Sequence, residues 1–493
     1  MALLWIGEHA HLDRELVGGK AHSLNKMHAL GLSVPPAFVL TTDVCRAVNA
    51  AGGELGSEVT AVRDAIAELE CRTGRGFGGT DRPLLVSVRS SAADSMPGML
   101  DTVLNLGINA DVEEALHALT GDQAFAAGTH RRFVEQFERV VGAVPPRDPW
   151  DQLLAAITAV FQSWNSTRAI AYRRHHGISD DGGTAVIVQA MVFGNRDDRS
   201  GTGVLFTRNP MTGDPVPYGE WLPSGQGEDV VSGRRDPLHL NALAAQHPEV
   251  HAELLAAGTQ LEQAGKDVQD IEFTVESGRL WILQSRAAKR SPDAAVRLAV
   301  GLQEDGILST DEALLMVTPE QVAAVCRPRV APEAGLGAVV LASGEPACPG
   351  TASGRVVLDV REAEELADSG VAVVLARPTT APEDVAGMIA SVAILTEIGG
   401  STSHAAVVSR ELGTPCVVGC GPGTLGPLVG REVTVDGSNG KVFAGGLTTS
   451  PDTEGANPAL ATLAGWARAR AGDGGDAGGP LPEVFAAARR NIR

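Results

Sequence analysis

A strand-like apolar run, a glycine-rich connection and a short helix follow one another in the C-terminal part of this chain, and their order constrains its fold most strongly. The apolar residues 392–396 predict a buried strand. Residues 405–412 have the composition of a helix, and Gly413 predicts where that helix ends. The connection reads Gly-Gly-Ser-Thr-Ser and brings His404 into the first helical turn. A strand that passes through a short connection into a helix is typical of α/β proteins.

The position of His404 favours phosphoryl chemistry. Backbone N–H groups at the N-terminus of a helix attract anions, so a phosphoryl group would be stabilised there. The same positive end disfavours the imidazolium form, and we expect His404 to be neutral and nucleophilic near neutral pH. The alternative is a surface histidine beside a helix cap, and the local pattern alone leaves that alternative open.

Composition narrows the class of protein and its partners. The 493 residues suffice for about two to four globular domains. No apolar run approaches the roughly 18 residues of a membrane span, and the N-terminus has no basic segment of a signal peptide. The six scattered cysteines favour reduced, buried thiols over a metal site, so we expect a cytoplasmic protein. The net charge of −20 argues against nucleic acid as a partner.

Alternating strand-like and helix-like segments predict two α/β domains. The first covers residues 1–295 and the second, with short strands and glycine-rich connections, covers residues 341–449. Residues 296–340 between them are rich in Ala and Leu and are predicted to be a helical linker. Residues 450–493 form a tail that is predicted to be partly flexible, with one possible helix over residues 458–471.

Two segments of the first domain carry candidate phosphate ligands. Gly18 and Gly19 would let backbone N–H groups approach a phosphate, and Lys20 would add a positive charge. Residues 84–91 alternate as a strand whose polar face carries Arg89 between two serines. Alone, the first segment is equally compatible with a turn that contains an incidental lysine. The second is compatible with an ordinary half-exposed strand that carries one arginine.

A pair of acidic residues in a predicted hairpin is the candidate metal site. Asp270 and Glu272 lie two apart on one strand, and carboxylate oxygens of this kind bind Mg²⁺ together with substrate phosphates. We predict a three-residue loop, 277–279, which sets Glu272 opposite Gln284 and Asp270 opposite Arg286. A two-residue loop would instead put those partners on opposite faces. A solvated hairpin face without a metal is the alternative.

Two further glycine-containing segments complete the pattern. Residues 200–203 precede an apolar strand and are compatible either with a flexible lid over a triphosphate or with a simple hairpin turn. Residues 226–233 place acidic side chains near glycines. Each signal is modest, and their joint occurrence in one chain is more informative than any one of them.

Together these segments closely resemble the pyruvate, phosphate dikinase family. The likeness extends over nearly all of residues 1–449 and keeps several specific motifs in one order. They include GGKAHSLNKMHALGLSVPPAF, LLVSVRSSAADSMPGMLDTVLNLG, SWNSTRAIAYRR, SGTGVLFTRNP, QGEDVVSG, DVQDIEFT, LWILQSR and GGSTSHAAVVSRELG. The resemblance implies an ATP-grasp nucleotide-binding domain and a swivelling β/β/α phosphohistidine domain.

The resemblance also implies roles for matching residues. His404 would attack the β-phosphate of ATP and release AMP, and the outer phosphoryl group would then pass to inorganic phosphate, giving pyrophosphate and phosphohistidine. Thr402 would hydrogen-bond the phosphoryl group and Arg89 would act with it in catalysis, while Asp270 and Glu272 would bind Mg²⁺. The implied nucleotide-binding residues are Lys20, Arg89, Asp101, Thr202, Gly203, Glu228, Gln284 and Arg286.

The chain departs from the family pattern in two places. Ile398 stands where the family usually has an arginine, and Arg377 or Arg410 could supply the charge instead. Only residues 450–493 follow the second domain, whereas a phosphoenolpyruvate- and pyruvate-binding TIM barrel needs about 250 residues. We therefore expect a separate protein to handle pyruvate. The alternatives are a phosphotransferase for another small molecule and a non-catalytic ATP-binding regulatory protein.

Overall fold

A computed structural model describes most of the chain. The described residues are 2–94, 96, 98–227, 229, 237–326, 328–330, 337–447, 449–451, 457–472 and 479–492. They form two compact units. The first unit comprises Met1–Thr202, Pro223–Gln226 and Ile271–Arg286, and the second comprises Gly203–Leu222, Gly227–Asp270 and Ala287–Arg493. The domain boundaries at residues 295, 340 and 449 stay predictions.

The chain mixes strands and helices throughout, and the predicted α/β class is confirmed. The strands are β1 Leu3–Trp5, β2 Ala37–Leu40, β3 Gly76–Phe77, β4 Pro83–Leu84, β5 Val86–Ala92, β6 Thr102–Leu106, β7 Thr184–Ala190, β8 Gly201–Phe206, β9 Tyr218–Pro223, β10 Leu238–His239, β11 Gln269–Glu276, β12 Arg279–Ala287, β13 Pro328–Val330, β14 Val340–Ser343, β15 Glu345–Cys348, β16 Thr351–Val357, β17 Val373–Arg377, β18 Ala393–Thr396, β19 Cys416–Val418, β20 Glu432–Asp436, β21 Lys441–Ala444 and β22 Thr449–Pro451.

Helices lie between these strands in both units, singly or in runs of up to four. They are α1 Arg14–Ala29, α2 Thr42–Ala50, α3 Glu58–Thr73, α4 Ala110–Thr120, α5 Gln123–Val141, α6 Pro149–Gln162, α7 Thr167–His176, α8 Asn241–Gln246, α9 Pro248–Gly265, α10 Pro292–Glu304, α11 Thr310–Met316, α12 Pro319–Val325, α13 Val360–Asp368, α14 Val385–Ala390, α15 His404–Leu412, α16 Pro458–Ala471 and α17 Leu481–Ile492. No helix in the described part of the chain is both long enough and apolar enough to span a membrane.

An antiparallel five-stranded sheet organises the first unit. Its strand order is β1-β2-β7-β5-β6, and β5 lies beside both β7 and β6. Its core is apolar and includes fully buried Phe38, Val88 and Val186, packed against side chains of α3, α5 and α6. This core fixes β5, and therefore fixes the backbone from which Arg89 projects.

A second five-stranded sheet has the order β10-β9-β8-β11-β12. The connection between β11 and β12 consists of Ser277 and Gly278, both with positive φ (50° and 82°), as tight hairpin turns require. The predicted three-residue loop is therefore wrong, because a pair of left-handed residues closes this hairpin.

An eight-stranded sheet forms the framework of the second unit, with the order β14-β21-β20-β16-β17-β18-β19-β15. Strands β16, β17, β18 and β19 are neighbours in this order in the sheet and run parallel to one another. The helices α13, α14 and α15 cross between these strands and bury Ala363, Met388 and Ala405 against one face. The predicted strand at 392–396 and helix at 405–412 correspond to β18 and α15, so the predicted strand and helix are confirmed.

A helical cluster occupies another part of the second unit. Helices α10, α11, α12, α16 and α17 bury a common apolar core that includes fully buried Phe485 and Val484. Helix α16 has the bounds predicted from the sequence, Pro458–Ala471. Helix α17 is a second helix in the tail, for which the sequence predicted only one, and the apolar face of Leu481–Ile492 packs into this core.

Candidate active site

A kink in α1 brings Lys20 to the strand that carries Arg89. Gly18 has φ 76° inside the helical segment, and a Cβ on it would lie 1.9 Å from the carbonyl oxygen of Ser91. The Ala21 N–H donates to Ser91 Oγ at 3.1 Å, so the helix is clamped on β5. The expected glycine turn before the helix is thus a kink within it, and only glycine fits there.

Lys20 lies in a cationic cluster of the first unit. The pKa of Lys20 is lowered to about 8, mainly by burial and also by the charges of Arg89 and Arg286, whereas the charge of Glu272 opposes this shift. Burial also lowers the pKa of Arg89, opposed by Glu272. A cluster with one acidic and three basic residues attracts a polyanion, since adding negative charge relieves the mutual repulsion.

Arg89 is held in place by neighbours on β7, β11 and β12. Its Nη1 donates to Gln189 Oε1 at 3.2 Å and to the Leu283 carbonyl at 3.3 Å, and Nη2 lies 3.9 Å from Glu272 Oε2. Gln284 Nε2 donates to Glu272 Oε1 at 3.1 Å. The predicted juxtaposition of Glu272 and Gln284 is therefore confirmed.

Glu272 and Gln284 meet although only Ser277 and Gly278 separate the two strands. The backbone bond from Ala288 N to Val268 O, just beyond the strand ends, fits the register in which Glu272 lies opposite Gln284. The contact was therefore predicted correctly from an incorrect loop length.

The remaining predicted nucleotide ligands have individual surroundings. Asp101 forms an ion pair with Arg168, Nη2 to Oδ1 at 2.5 Å. The Thr202 hydroxyl donates to the Phe273 carbonyl at 3.0 Å, and Thr202 and Gly203 lie in β8, where every residue is buried. Neither a flexible lid nor a hairpin turn describes residues 200–203, because β8 begins at Gly201. Glu228 lies outside the described residues.

The two acidic candidates for Mg²⁺ lie two residues apart in β11. Asp270 is buried and Glu272 is partly exposed. Among the residues that the structure describes, no group of three His, Cys, Asp or Glu side chains converges as a metal site. A hard cation that takes one or two carboxylates and completes its shell with phosphates and water fits this donor set.

His404 begins α15, directly after the N-cap residue Ser403, whose hydroxyl accepts from Ala406 N. Its Nδ1 lies 3.1 Å from Thr380 Oγ1. Its Nε2 is buried and has no hydrogen-bond partner among the described residues. One ring nitrogen is thus engaged, and the other is the one available to form a bond.

Burial lowers the pKa of His404, and the charges of Asp384 and Glu383 oppose that shift. The direction agrees with the sequence prediction of a neutral imidazole, although burial is the principal cause. A neutral imidazole carries one proton, and the Thr380 hydroxyl can either accept from or donate to Nδ1. The tautomer that donates its Nδ1 proton to Thr380 is the one with a lone pair on Nε2.

The two arginines considered as substitutes at Ile398 have different partners. Arg410 is buried, and its Nη1 donates to the Ser401 carbonyl at 2.9 Å and to the Ala347 carbonyl at 3.3 Å. Arg377 donates to the Leu358 carbonyl at 2.8 Å and lies 3.1 Å from Asp384 Oδ1. Arg410 therefore stabilises the segment before His404. Arg377 lies beside Asp384, whose charge opposes the lowering of the His404 pKa.

Sequence reasoning missed an acidic group beside the His404 segment. The Thr402 hydroxyl donates to Glu220 Oε2, and the Tyr218 hydroxyl contacts Ser401 Oγ and donates to Glu345 Oε1 at 3.0 Å. Glu220 precedes Thr402 by 182 positions. No local sequence pattern reports a contact over that separation.

Comparison with known proteins agrees with this architecture. Residues 58–251 match the family model "Pyruvate phosphate dikinase, AMP/ATP-binding domain", and residues 371–440 match "PEP-utilising enzyme, mobile domain". The fold and these matches define a protein that joins a nucleotide-binding domain to a mobile domain of PEP-utilising enzymes. The chain belongs to the pyruvate, phosphate dikinase family, as the sequence motifs predicted.

Curated relatives carry the family name. The pyruvate, phosphate dikinases of Clostridium symbiosum and Rhizobium meliloti (strain 1021) are 38% and 40% identical over 88% of this chain, covering 57% and 56% of their own lengths. The chloroplastic pyruvate, phosphate dikinase 1 of Arabidopsis thaliana is 39% identical over 97% of this chain and 56% of its own length. The chain thus spans about half the length of the curated relatives it matches. Because relatives are bacterial and chloroplastic, the cytoplasmic location stays a prediction.

Proposed function

We propose that this chain catalyses the ATP-dependent loading of His404 with a phosphoryl group. The Nε2 lone pair attacks the β-phosphorus of ATP, the bond from that phosphorus to the oxygen of AMP breaks, and AMP leaves. Inorganic phosphate then attacks the outer phosphorus, which gives pyrophosphate and leaves one phosphoryl group on Nε2. The observation that carries the proposal is the geometry of His404, whose buried Nε2 has no hydrogen-bond partner among the described residues while Nδ1 is engaged by Thr380.

The cationic cluster of the first unit is suited to hold the triphosphate. Lys20, Arg89 and Arg286 supply positive charge from three different elements, and Glu272 is oriented by Gln284. Phosphoryl transfer depends mainly on positioning and charge neutralisation, which such a cluster provides. Mg²⁺, held by Asp270 and Glu272, would neutralise phosphate charge and orient the triphosphate when bound.

The second unit supports the nucleophile. A neutral imidazole with its proton on Nδ1 needs no deprotonation before Nε2 attacks. The contact between Nδ1 and Thr380 orients the ring, and α15 places its N-terminal end, which favours anions, at the same position. These features favour a histidine that carries phosphoryl groups over a histidine that only packs.

The test is a loading assay with the purified chain, Mg²⁺, phosphate and ATP labelled with radioactive phosphorus at the β position. We expect AMP, pyrophosphate and an acid-labile phosphoprotein, all lost in His404→Ala. Retained nucleotide binding with no AMP and no phosphoprotein would refute the proposal and favour a regulatory ATP-binding protein. Because the relatives are named for pyruvate, we propose pyruvate as the final acceptor, to be added alone and with a separate phosphoenolpyruvate- and pyruvate-binding protein.

A further inference from the structure

Two side chains of β9 contact the segment that precedes His404. Glu220 is a hydrogen-bond acceptor, and Tyr218 is a donor. Glu220 accepts from the Thr402 hydroxyl, and Ser401 Oγ donates to Glu220 Oε1 at 3.5 Å. Tyr218 contacts Ser401 and donates to Glu345 on β15 at 3.0 Å. Both hydroxyls between the glycines and the N-cap are therefore engaged by this group.

The backbone approaches these carboxylates very closely at Gly400. A Cβ there would lie 3.0 Å from Glu220 Oε1 and 3.6 Å from Glu345 Oε2. A side chain would therefore press on the Glu220 carboxylate. The glycine thus has a specific role, since it allows the segment to be seated between two acidic side chains.

The charge of this group is poorly solvated. Glu220 is 8% exposed, and burial together with the charge of Glu345 raises the pKa of Glu220. Burial and the charge of Glu345 also raise the pKa of Tyr218. The carboxylates depend on the donated hydroxyl hydrogen bonds, and any further negative charge nearby destabilises the arrangement.

We propose that Tyr218, Glu220 and Glu345 form an acidic latch, which holds residues 400–402 while His404 is unloaded and releases them when His404 carries a phosphoryl group. The proposal rests on the loading of His404 proposed above. A phosphoryl group brings about two negative charges to a residue two positions from Thr402. Release also frees the Thr402 hydroxyl, which then can hydrogen-bond the phosphoryl group. The three latch residues are positioning residues and do not take part in the bond changes.

The pH dependence of the latch has a definite sign. Because the pKa of Glu220 is raised in the closed latch, the closed state binds more protons than an open state with solvated Glu220. Lower pH therefore favours closure and higher pH favours release. The groups around Glu220 include Glu345, Tyr218, Ser401 and Thr402. His239 lies opposite Glu220 in the pairing of β10 with β9, and the Arg410 guanidinium donates to the Ser401 carbonyl.

The first arm of the test is hydrogen exchange of the peptide that covers residues 399–408 in the unloaded chain. We expect Glu220→Ala and Tyr218→Phe to exchange several-fold faster than wild type. Glu220→Gln, whose amide oxygen still accepts from Thr402, should exchange like wild type. The exposed Glu253→Gln in α9 is the matched control. Wild-type exchange in both Glu220→Ala and Tyr218→Phe would overturn the proposal, and Tyr218→Phe covers the case in which Glu220→Ala does not fold.

The second arm compares loaded and unloaded samples, with acid-labile phosphate measured on the same protein. On loading, we expect exchange of this peptide to rise in wild type and to stay low in Glu220→Gln, which lacks the repelling charge. After correction for intrinsic exchange, protection in the unloaded wild type should increase as pH falls. No incorporated phosphate would refute the proposed function and leave the first arm to decide on the latch. Full loading without faster exchange would overturn the release.

Discussion

At the scale of single residues, His404 is prepared by burial and by one hydrogen bond. Burial disfavours the imidazolium form, and when Nδ1 donates its proton to Thr380 the lone pair on Nε2 would be the nucleophile. Asp384 and Glu383 act against the effect of burial and limit how far the pKa falls. A histidine on an open surface would lack both constraints, which is why its local sequence alone could not decide its role.

The lowered pKa of His404 predicts the pH dependence of loading. Neutral His404 is the attacking form, and its pKa lies below the ordinary value of 6.5. The rate of single-turnover loading should therefore still exceed half its maximum at pH 6.5 and fall only at lower pH. Rapid-quench measurement of acid-labile phosphate over about pH 5 to 8, the range in which proteins tend to be most stable, checks this prediction. A half-maximal rate above pH 6.5 would contradict the account.

Lys20 predicts proton uptake when ATP binds. Its pKa is about 8 in the free chain, and phosphate oxygens nearby would raise it, so the complex binds more protons than the free protein above that pH. Affinity for ATP should fall by up to about tenfold per pH unit above pH 8. Calorimetry in buffers of different ionisation enthalpy measures the uptake. Lys20→Arg should retain binding without this pH dependence, and equal uptake in both proteins would exclude Lys20 as its source.

At the scale of elements, helix α1 depends on its kink. A side chain at Gly18 meets both a positive φ of 76° and the Ser91 carbonyl at 1.9 Å. Gly18→Ala should lower the free energy of unfolding by more than about 2 kcal/mol and weaken ATP binding, because Lys20 moves with the helix. Gly19→Ala is the control, since its nearest contact is 3.5 Å. Urea unfolding compares them, and equal stability of the two variants would contradict this role.

Helix α17 is predicted to stabilise the helical cluster of the second unit. Phe485 is fully buried in the apolar core that α17 shares with the other helices of the cluster, so Phe485→Ala should cost about 3–5 kcal/mol through lost contacts and a cavity. Glu483→Gln, on the exposed side of the same helix, should change stability by less than about 0.5 kcal/mol. Thermal unfolding checks both. A similar small effect in the two variants would show that α17 does not pack as described.

The helices and the hairpin turn show which structural features a local sequence pattern can predict. The bounds of α16 and the end of α15 at Gly413 follow from apolar periodicity and a left-handed C-cap, which act over a few residues. Helix α17 was missed because the tail was expected to be partly flexible, whereas this helix packs against residues far along the chain. The two-residue turn was missed because the loop length was inferred from the expected contact between Glu272 and Gln284, which the structure has with a shorter loop.

At the scale of the whole molecule, the sequence identified the candidate site residues better than the long-range contacts around them. Family motifs selected Lys20, Arg89 and Glu272, and the structure brings these three together within one unit. The contact between Glu220 and Thr402 joins residues of two different family-model matches, and only folding brings them together. Long-range hydrogen bonds of this kind have no periodicity from which they could be predicted.

The central claim is that His404 carries the phosphoryl group on Nε2. Phosphorus NMR of the phosphoprotein, formed from ATP and phosphate and then unfolded under alkaline conditions, distinguishes the two phosphohistidine isomers, and peptide mapping locates the residue. The account predicts one Nε2-phosphohistidine at residue 404, because Thr380 occupies Nδ1. Phosphate on Nδ1, on another residue, or persisting in His404→Ala would contradict it.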